Sequence, residues 1–201
     1  MINLIDGLIS ILESWGYSGI FVLMFLESLI IPVPAEIVLI PAGFLVFKGL
    51  MSFFPLLIIS TLGSLAGSLF SYFLAYKIGR KGFEKIAKKY SEVPFWDIKH
   101  LKNSEKFFKK KGHLTIFFSR FIPGLRHVIS LPAGFSKMNI IEFSLYTLFG
   151  AGIYNAFLIL LGYFAGTNEN YFISHVGIIS ALIAIIFLVG IGVYLKLKNK
   201  K

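Results

Sequence analysis

The chain has 201 residues, 56% of them apolar and 15% charged, with 20 Lys and Arg against 10 Asp and Glu, and its mean hydropathy is +0.79. A soluble domain of this size has no interior large enough to hide that much apolar side chain, so composition excludes a soluble globular protein and points to an integral membrane one. The net charge of +10 does not argue for nucleic acid, because the basic residues gather in one loop and the C-terminal tail, and the lack of cysteine excludes disulfides and thiolate metal sites.

The first sixteen residues hold Asp6 and Glu13 and no Lys or Arg. A signal peptide starts basic, so this N-terminus is expected to stay in the mature protein. The next segment, about 17–47, contains ESLIIPVPAEIVLIPAGF (27–44), an oily run carrying Glu27 and Glu36. Proline removes a helical hydrogen bond and disfavours helix in the residue before it, so Pro32 and Pro34 should break this segment in the middle. Phe53–Tyr76 follows without a charge, long enough to cross roughly 30 Å of hydrocarbon as a helix. In it, Gly63 and Gly67 with Ser64, Ser68 and Ser71 form a small-residue face suited to close helix packing.

Residues 77–111 hold 12 Lys and Arg against 4 Asp and Glu, with amphipathic pieces FEKIAKKY and EKFFKKKG. Such a loop reads as cytoplasmic, lying on anionic headgroups, with Tyr76, Gly79 and Arg80 anchoring the preceding helix at the interface. A second broken segment, 112–136, contains SRFIPGLRHVISLPAGF (119–135), with Arg120 and Arg126 flanking Pro123 and Gly124, and His127 beside the second arginine. Two further uncharged spans complete the chain, Phe143–Gly166 and Val176–Leu195, separated by TNENYFISH and followed by KLKNKK.

Topology follows by parity. With the loop 77–111 and the basic tail both inside, segment 112–136 must enter and leave on the cytoplasmic side, as a re-entrant hairpin. The first broken segment takes the same shape through an internal repeat. At an offset of 91, PVPAEIVLIPAGF (32–44) and PGLRHVISLPAGF (123–135) share five identities; at 87, Gly63, Phe70, Leu74, Tyr76 and Gly79 meet Gly150, Phe157, Leu161, Tyr163 and Gly166. The two spanning helices run in opposite directions, so the repeats are inverted, as in many secondary transporters, and the hairpin tips should meet near the midplane. The expected fold is therefore an all-α integral membrane protein, one domain over 1–201. It comprises repeat one at about 17–79, the basic loop 77–111 with amphipathic cytoplasmic helices, repeat two at about 112–166, and a C-terminal transmembrane helix at 176–195.

These residues carry a family resemblance. Glu27 before a proline pair and Glu36, Tyr76-x-x-Gly79-Arg80-x-x-Gly, and above all Phe118-x-Arg120-x-x-Pro123-Gly-x-Arg126 followed by Ala133-Gly134 resemble the DedA family, whose domain is shared with eukaryotic lipid scramblases of autophagy. The likeness spans about residues 15–190. Several members carry an acidic pair where Ser28 follows Glu27 here. The resemblance implies transport of lipid phosphates, including the undecaprenyl-phosphate carrier of envelope synthesis, with proton-motive force often involved.

The residues support this independently. Charge at membrane depth is costly unless paired or hydrated, and so marks function. Arg120 and Arg126 present planar forks matched to phosphate oxygens, whereas Glu27 and Glu36 can pair with them when the site is empty and take up protons. His127 could relay protons, although a hydrogen-bonding core role fits it as well. Pro32, Pro34, Pro123, Gly124, Tyr76 and Arg80 are expected in support. The four histidines show no metal-ligand spacing and no nucleophile-plus-base motif stands out, so no enzyme activity, metal or cofactor is expected.

The expectation is a multi-pass inner-membrane flippase for a lipid phosphate, coupled to protons, with a cytoplasmic C-terminus and no nucleic-acid partner; homo-oligomerisation is left open. Two alternatives remain at this level. One is a proton-coupled antiporter of small cations or drugs, which would need its carboxylates more than its arginines. The other is a membrane scaffold, which would tolerate neutral replacement of all four charges.

Overall fold

The computed structural model describes residues 2–29, 34–89, 112, 114–122 and 125–167, and all regular structure among them is helical. The sequence-predicted C-terminal helix at 176–195 and most of the basic loop lie outside these residues, as do Pro32, Pro123 and Gly124.

α1 spans Ile2–Glu27 and bends at Gly16, whose φ of 55° is readily adopted only by a residue without a Cβ. The part of α1 after this bend is the first arm of the broken segment and ends at Glu27, before the proline pair in sequence. Pro34, in extended conformation, then caps the start of α2 (Ala35–Phe47) without a side-chain hydrogen bond. A proline tolerates that position because the first N–H groups of a helix have no intrahelical acceptor. α2 is apolar almost all round and mostly buried, the pattern of a helix enclosed by other helices.

α3 runs Phe53–Lys89 and does not stop at the expected interface anchor. It turns at Gly79, where φ is 63°, and continues through the basic residues as helix. A single glycine in the left-handed region thus redirects the chain where it passes from apolar to charged sequence. The second broken segment is helical over 114–119, turns at 120–122, and resumes as α4 (Leu125–Val128) and α5 (Ser130–Phe135). α6 spans Ile140–Gly166, three residues earlier than the uncharged run suggests, because Asn139 caps it by accepting from the Ile141 N–H at 2.8 Å.

α2 packs chiefly on α6, α1 and α5 on α3, and α3 on α6. Glycines set how closely these helices approach. A Cβ on Gly43 would lie 2.2 Å from the Ile159 carbonyl oxygen, and one on Gly134 would lie 2.4 Å from that of Tyr72. Gly43 and Gly134 are 91 residues apart, and Tyr72 and Ile159 are 87 apart, the two offsets of the internal repeat. The second arm of each broken segment therefore docks on the long helix of the other repeat by an equivalent contact. The first arms dock within their own repeat, Gly63 against Phe21 and Gly150 against Phe117.

The outer surface is oily. Phe54, Ile58, Phe149 and Phe164 are all more than half exposed, and only 39% of the apolar stretch of α3 and 33% of that of α6 is buried. Such helices would be insoluble faces in water but are ordinary surface in hydrocarbon.

Candidate functional site

Among the described residues four charged groups are buried: Glu27, Glu36, Arg120 and Arg126, each no more than 6% exposed. Each sits where a helix is interrupted. Glu27 ends α1, Glu36 lies in the first turn of α2, Arg120 follows the helical segment 114–119, and Arg126 is in the short α4. The helix ends thus bring charge to one place, an arrangement tolerated in a membrane where it is enclosed by protein.

The four groups are not equivalent. Glu27 forms an ion pair with Arg126 and accepts from Ser28 Oγ at 2.9 Å. Glu36 receives the Tyr154 hydroxyl on Oε1 and, among the described residues, meets no arginine. Arg120 donates to the Arg126 carbonyl oxygen at 3.4 Å and to Thr147 Oγ1 at 3.0 Å, both uncharged acceptors. The Nε of each arginine is buried without an acceptor among the described residues. Arg126 also lies over the Tyr154 ring, 5.0 Å from its centroid, a cation–π contact. Arg126 is thus ion-paired with a carboxylate, whereas the hydrogen bonds of Arg120 among the described residues go to neutral oxygens and Glu27 acts on it by charge alone.

α6 supplies what the sequence reasoning missed. Thr147, Gly150 and Tyr154 recur at three and four residues, which puts them on one face of the helix. Thr147 holds the Arg120 guanidinium, Tyr154 serves Glu36 and Arg126, and Gly150 makes room, since its Cβ would come within 2.9 Å of Arg120 Cγ. The available signal was a polar stripe on an otherwise apolar span.

Comparison with known proteins adds the lineage. The family model of the VTT domain matches residues 33–164. The chain belongs to the DedA/VTT-domain family. It is 36% identical to undecaprenyl phosphate transporter A of Staphylococcus aureus over 151 residues, covering 75% of this chain and 74% of that one. It is 31% identical to an alkaline phosphatase-like protein of Lactococcus lactis over 194 residues (94% and 91% coverage) and 26% identical to the protein DedA of Escherichia coli over 174 (82% and 77%). No solved structure matches. With the apolar exposed helices, this makes the chain a membrane protein.

Within this DedA/VTT chain, the structure brings Glu27, Glu36 and Arg126 together around Tyr154, with Arg120 joined to them through the Arg126 carbonyl. Tyr76 is not among them: its ring stacks on Tyr72 and meets Lys137. Pro34 caps the start of α2, two residues before Glu36. The side chains of His127 and Arg80 lie outside the described residues. No three His, Asp or Glu side chains gather as a metal ligand set among those described.

Proposed function

We propose that this protein carries a lipid phosphate, undecaprenyl phosphate first among candidates, between the leaflets of the cytoplasmic membrane in exchange with protons. The observation that carries the reading is Arg120, a buried guanidinium whose hydrogen bonds among the described residues go only to neutral oxygens, beside a second arginine whose Nε also lacks an acceptor among them. Leaving such donors unpaired is expensive, and a bidentate phosphate is the anion their geometry fits. The apolar cavity of about 410 Å³ between α3 and α6, lined by Leu57, Thr61, Phe149 and Gly152, suits the chain side of such a lipid. The name of the S. aureus relative agrees with this substrate.

Glu27 supplies the coupling. While ionised it holds Arg126; once protonated it releases the guanidinium to phosphate. Acid on the loading side then favours binding and alkali on the other side favours release. The two broken segments are read as re-entrant hairpins entering from opposite faces, so that this exchange is reached from either leaflet in turn.

The test is leaflet exposure in proteoliposomes carrying undecaprenyl phosphate, with and without a pH gradient. Accelerated, gradient-dependent movement supports the proposal. Equal rates with and without protein, or release of inorganic phosphate from the lipid, would sink it.

A further inference from the structure

Among the described residues, Tyr154 is the side chain that touches both halves of the charge cluster. Its hydroxyl donates to Glu36 and its ring carries Arg126, which is paired in turn with Glu27. Phe121 closes the ring's edge, 6.3 Å away at 88°. The charged groups that act on this tyrosine of α6 are Glu36 from α2, Arg126 from α4 and Glu27 from α1. Arg120 stands behind Arg126, and α3 has no charged side chain before Lys77.

Holding Arg126 by its ring needs no hydroxyl, since phenylalanine would serve. The hydroxyl is occupied by Glu36, and an ionised carboxylate only accepts, so the tyrosine proton is committed to it. A protonated carboxyl brings a donor of its own and no longer demands the tyrosine's.

We propose that Tyr154 is a proton-gated phosphate donor: its hydroxyl stays on Glu36 while that carboxylate is ionised, and turns to a phosphate oxygen seated on Arg126 once Glu36 takes a proton. One proton enters from water for each hydroxyl released, the tyrosine keeps its own proton, and no covalent bond changes. The inference deepens the lipid-phosphate reading and rests on it. It gives the two carboxylates parallel tasks, Glu27 withholding a guanidinium and Glu36 withholding a hydroxyl.

The experiment uses the full chain in nanodiscs, with affinity for undecaprenyl phosphate measured against undecaprenol at about pH 5.5 and about pH 8.5, corrected for the phosphate's own titration near pH ~6. Losing a hydrogen bond to a charged group weakens binding about tenfold or more. Tyr154→Phe should show that loss at acid pH and bind within about twofold of wild type at alkaline pH, where the hydroxyl was never available. An equal loss at both values, or none at acid, overturns the proposal. Infrared difference spectra of wild type give a second reading independent of that variant. Adding undecaprenyl phosphate near neutrality should raise carboxylic-acid C=O intensity from both carboxyls, of which Glu36→Gln removes one component and leaves that of Glu27, together with a shifted tyrosine C–O band; a spectrum without the Glu36 component or the tyrosine shift overturns it as well. If wild type does not prefer undecaprenyl phosphate to undecaprenol at either pH, the substrate reading itself has failed and this one falls with it.

Discussion

The two broken segments end in the same four residues and dock by the same contact, yet they arrive there by different routes. After the first break the chain runs straight through α2 for 13 residues; after the second it makes α4 of 4 residues and α5 of 6. Gly43 and Gly134 nonetheless meet equivalent carbonyls on α6 and α3. The docking half of each segment is fixed by close helix contact, and the tip is where the two repeats diverge. The acidic tip sets its carboxylates on helix ends. The basic tip uses its interrupted helix to let Arg120 reach the Arg126 carbonyl. The difference teaches that packing and charge are carried by separate parts of each segment, so each can be broken without the other.

The strongest way to break the comparison is at the basic tip. Arg120→Lys or Arg126→Lys should abolish lipid-phosphate movement while leaving the protein inserted and folded, because an ammonium cannot supply a two-pronged donor. Neutralising Lys109, Lys110 and Lys111 together should leave the movement largely intact. Wild-type rates from both arginine variants in the leaflet-exposure assay would count against a phosphate site.

The docking halves should respond alike. Gly43→Ala and Gly134→Ala each place a methyl within 2.4 Å of a backbone oxygen, and overpacking of this kind costs about 1–3 kcal/mol. Both should lower the midpoint of thermal unfolding in detergent by similar amounts. Gly152→Ala is the control, since its Cβ would sit 3.7 Å from Thr61 Cγ2, an ordinary contact, and the change gains helix propensity. A loss at one docking glycine alone would show that the two contacts are not equivalent.

The acidic tip should show a smaller effect on lipid movement than the basic tip, and a pH-dependent one. Glu27→Gln mimics the protonated residue and frees Arg126, so at alkaline pH undecaprenyl phosphate should bind it more tightly than wild type, yet less tightly than wild type binds it in acid, because ionised Glu36 still holds the Tyr154 hydroxyl. Removing this charge also leaves a buried guanidinium unpaired, a loss of about 3–5 kcal/mol when one partner of a buried pair is removed. The empty variant should therefore unfold earlier than Glu36→Gln, and added lipid phosphate should restore it. Both glutamine variants keeping the full wild-type pH dependence would exclude these carboxylates as coupling groups.

Topology is read without perturbing activity. Single cysteines at Ser91 and Ser136 should label from the cytoplasm and one at Asn168 from outside. External labelling at position 136 would remove the re-entrant second hairpin and the inversion with it.

The amino-acid sequence by itself determined what local physics controls. Uncharged runs at 53–76 and 143–166 are helices because hydrocarbon leaves the backbone no partner but itself, and the first segment breaks where proline denies it an N–H. The four buried charges were legible too, since an ionised residue inside an oily run has no bland explanation. Partners were another matter. Whether Glu27 or Glu36 would take an arginine could not be read from spacing, because the contact joins residues nearly a hundred positions apart on separate helices. Tyr154 was hidden for the same reason: tyrosine is an ordinary member of an apolar span, and only the docking of α2 on α6 puts its hydroxyl on Glu36 and its ring beneath Arg126. The tertiary structure decided which arginine pairs with a carboxylate and which hydrogen-bonds to neutral oxygens, because that depends on distances between helices, and those were set by glycines that let backbones touch.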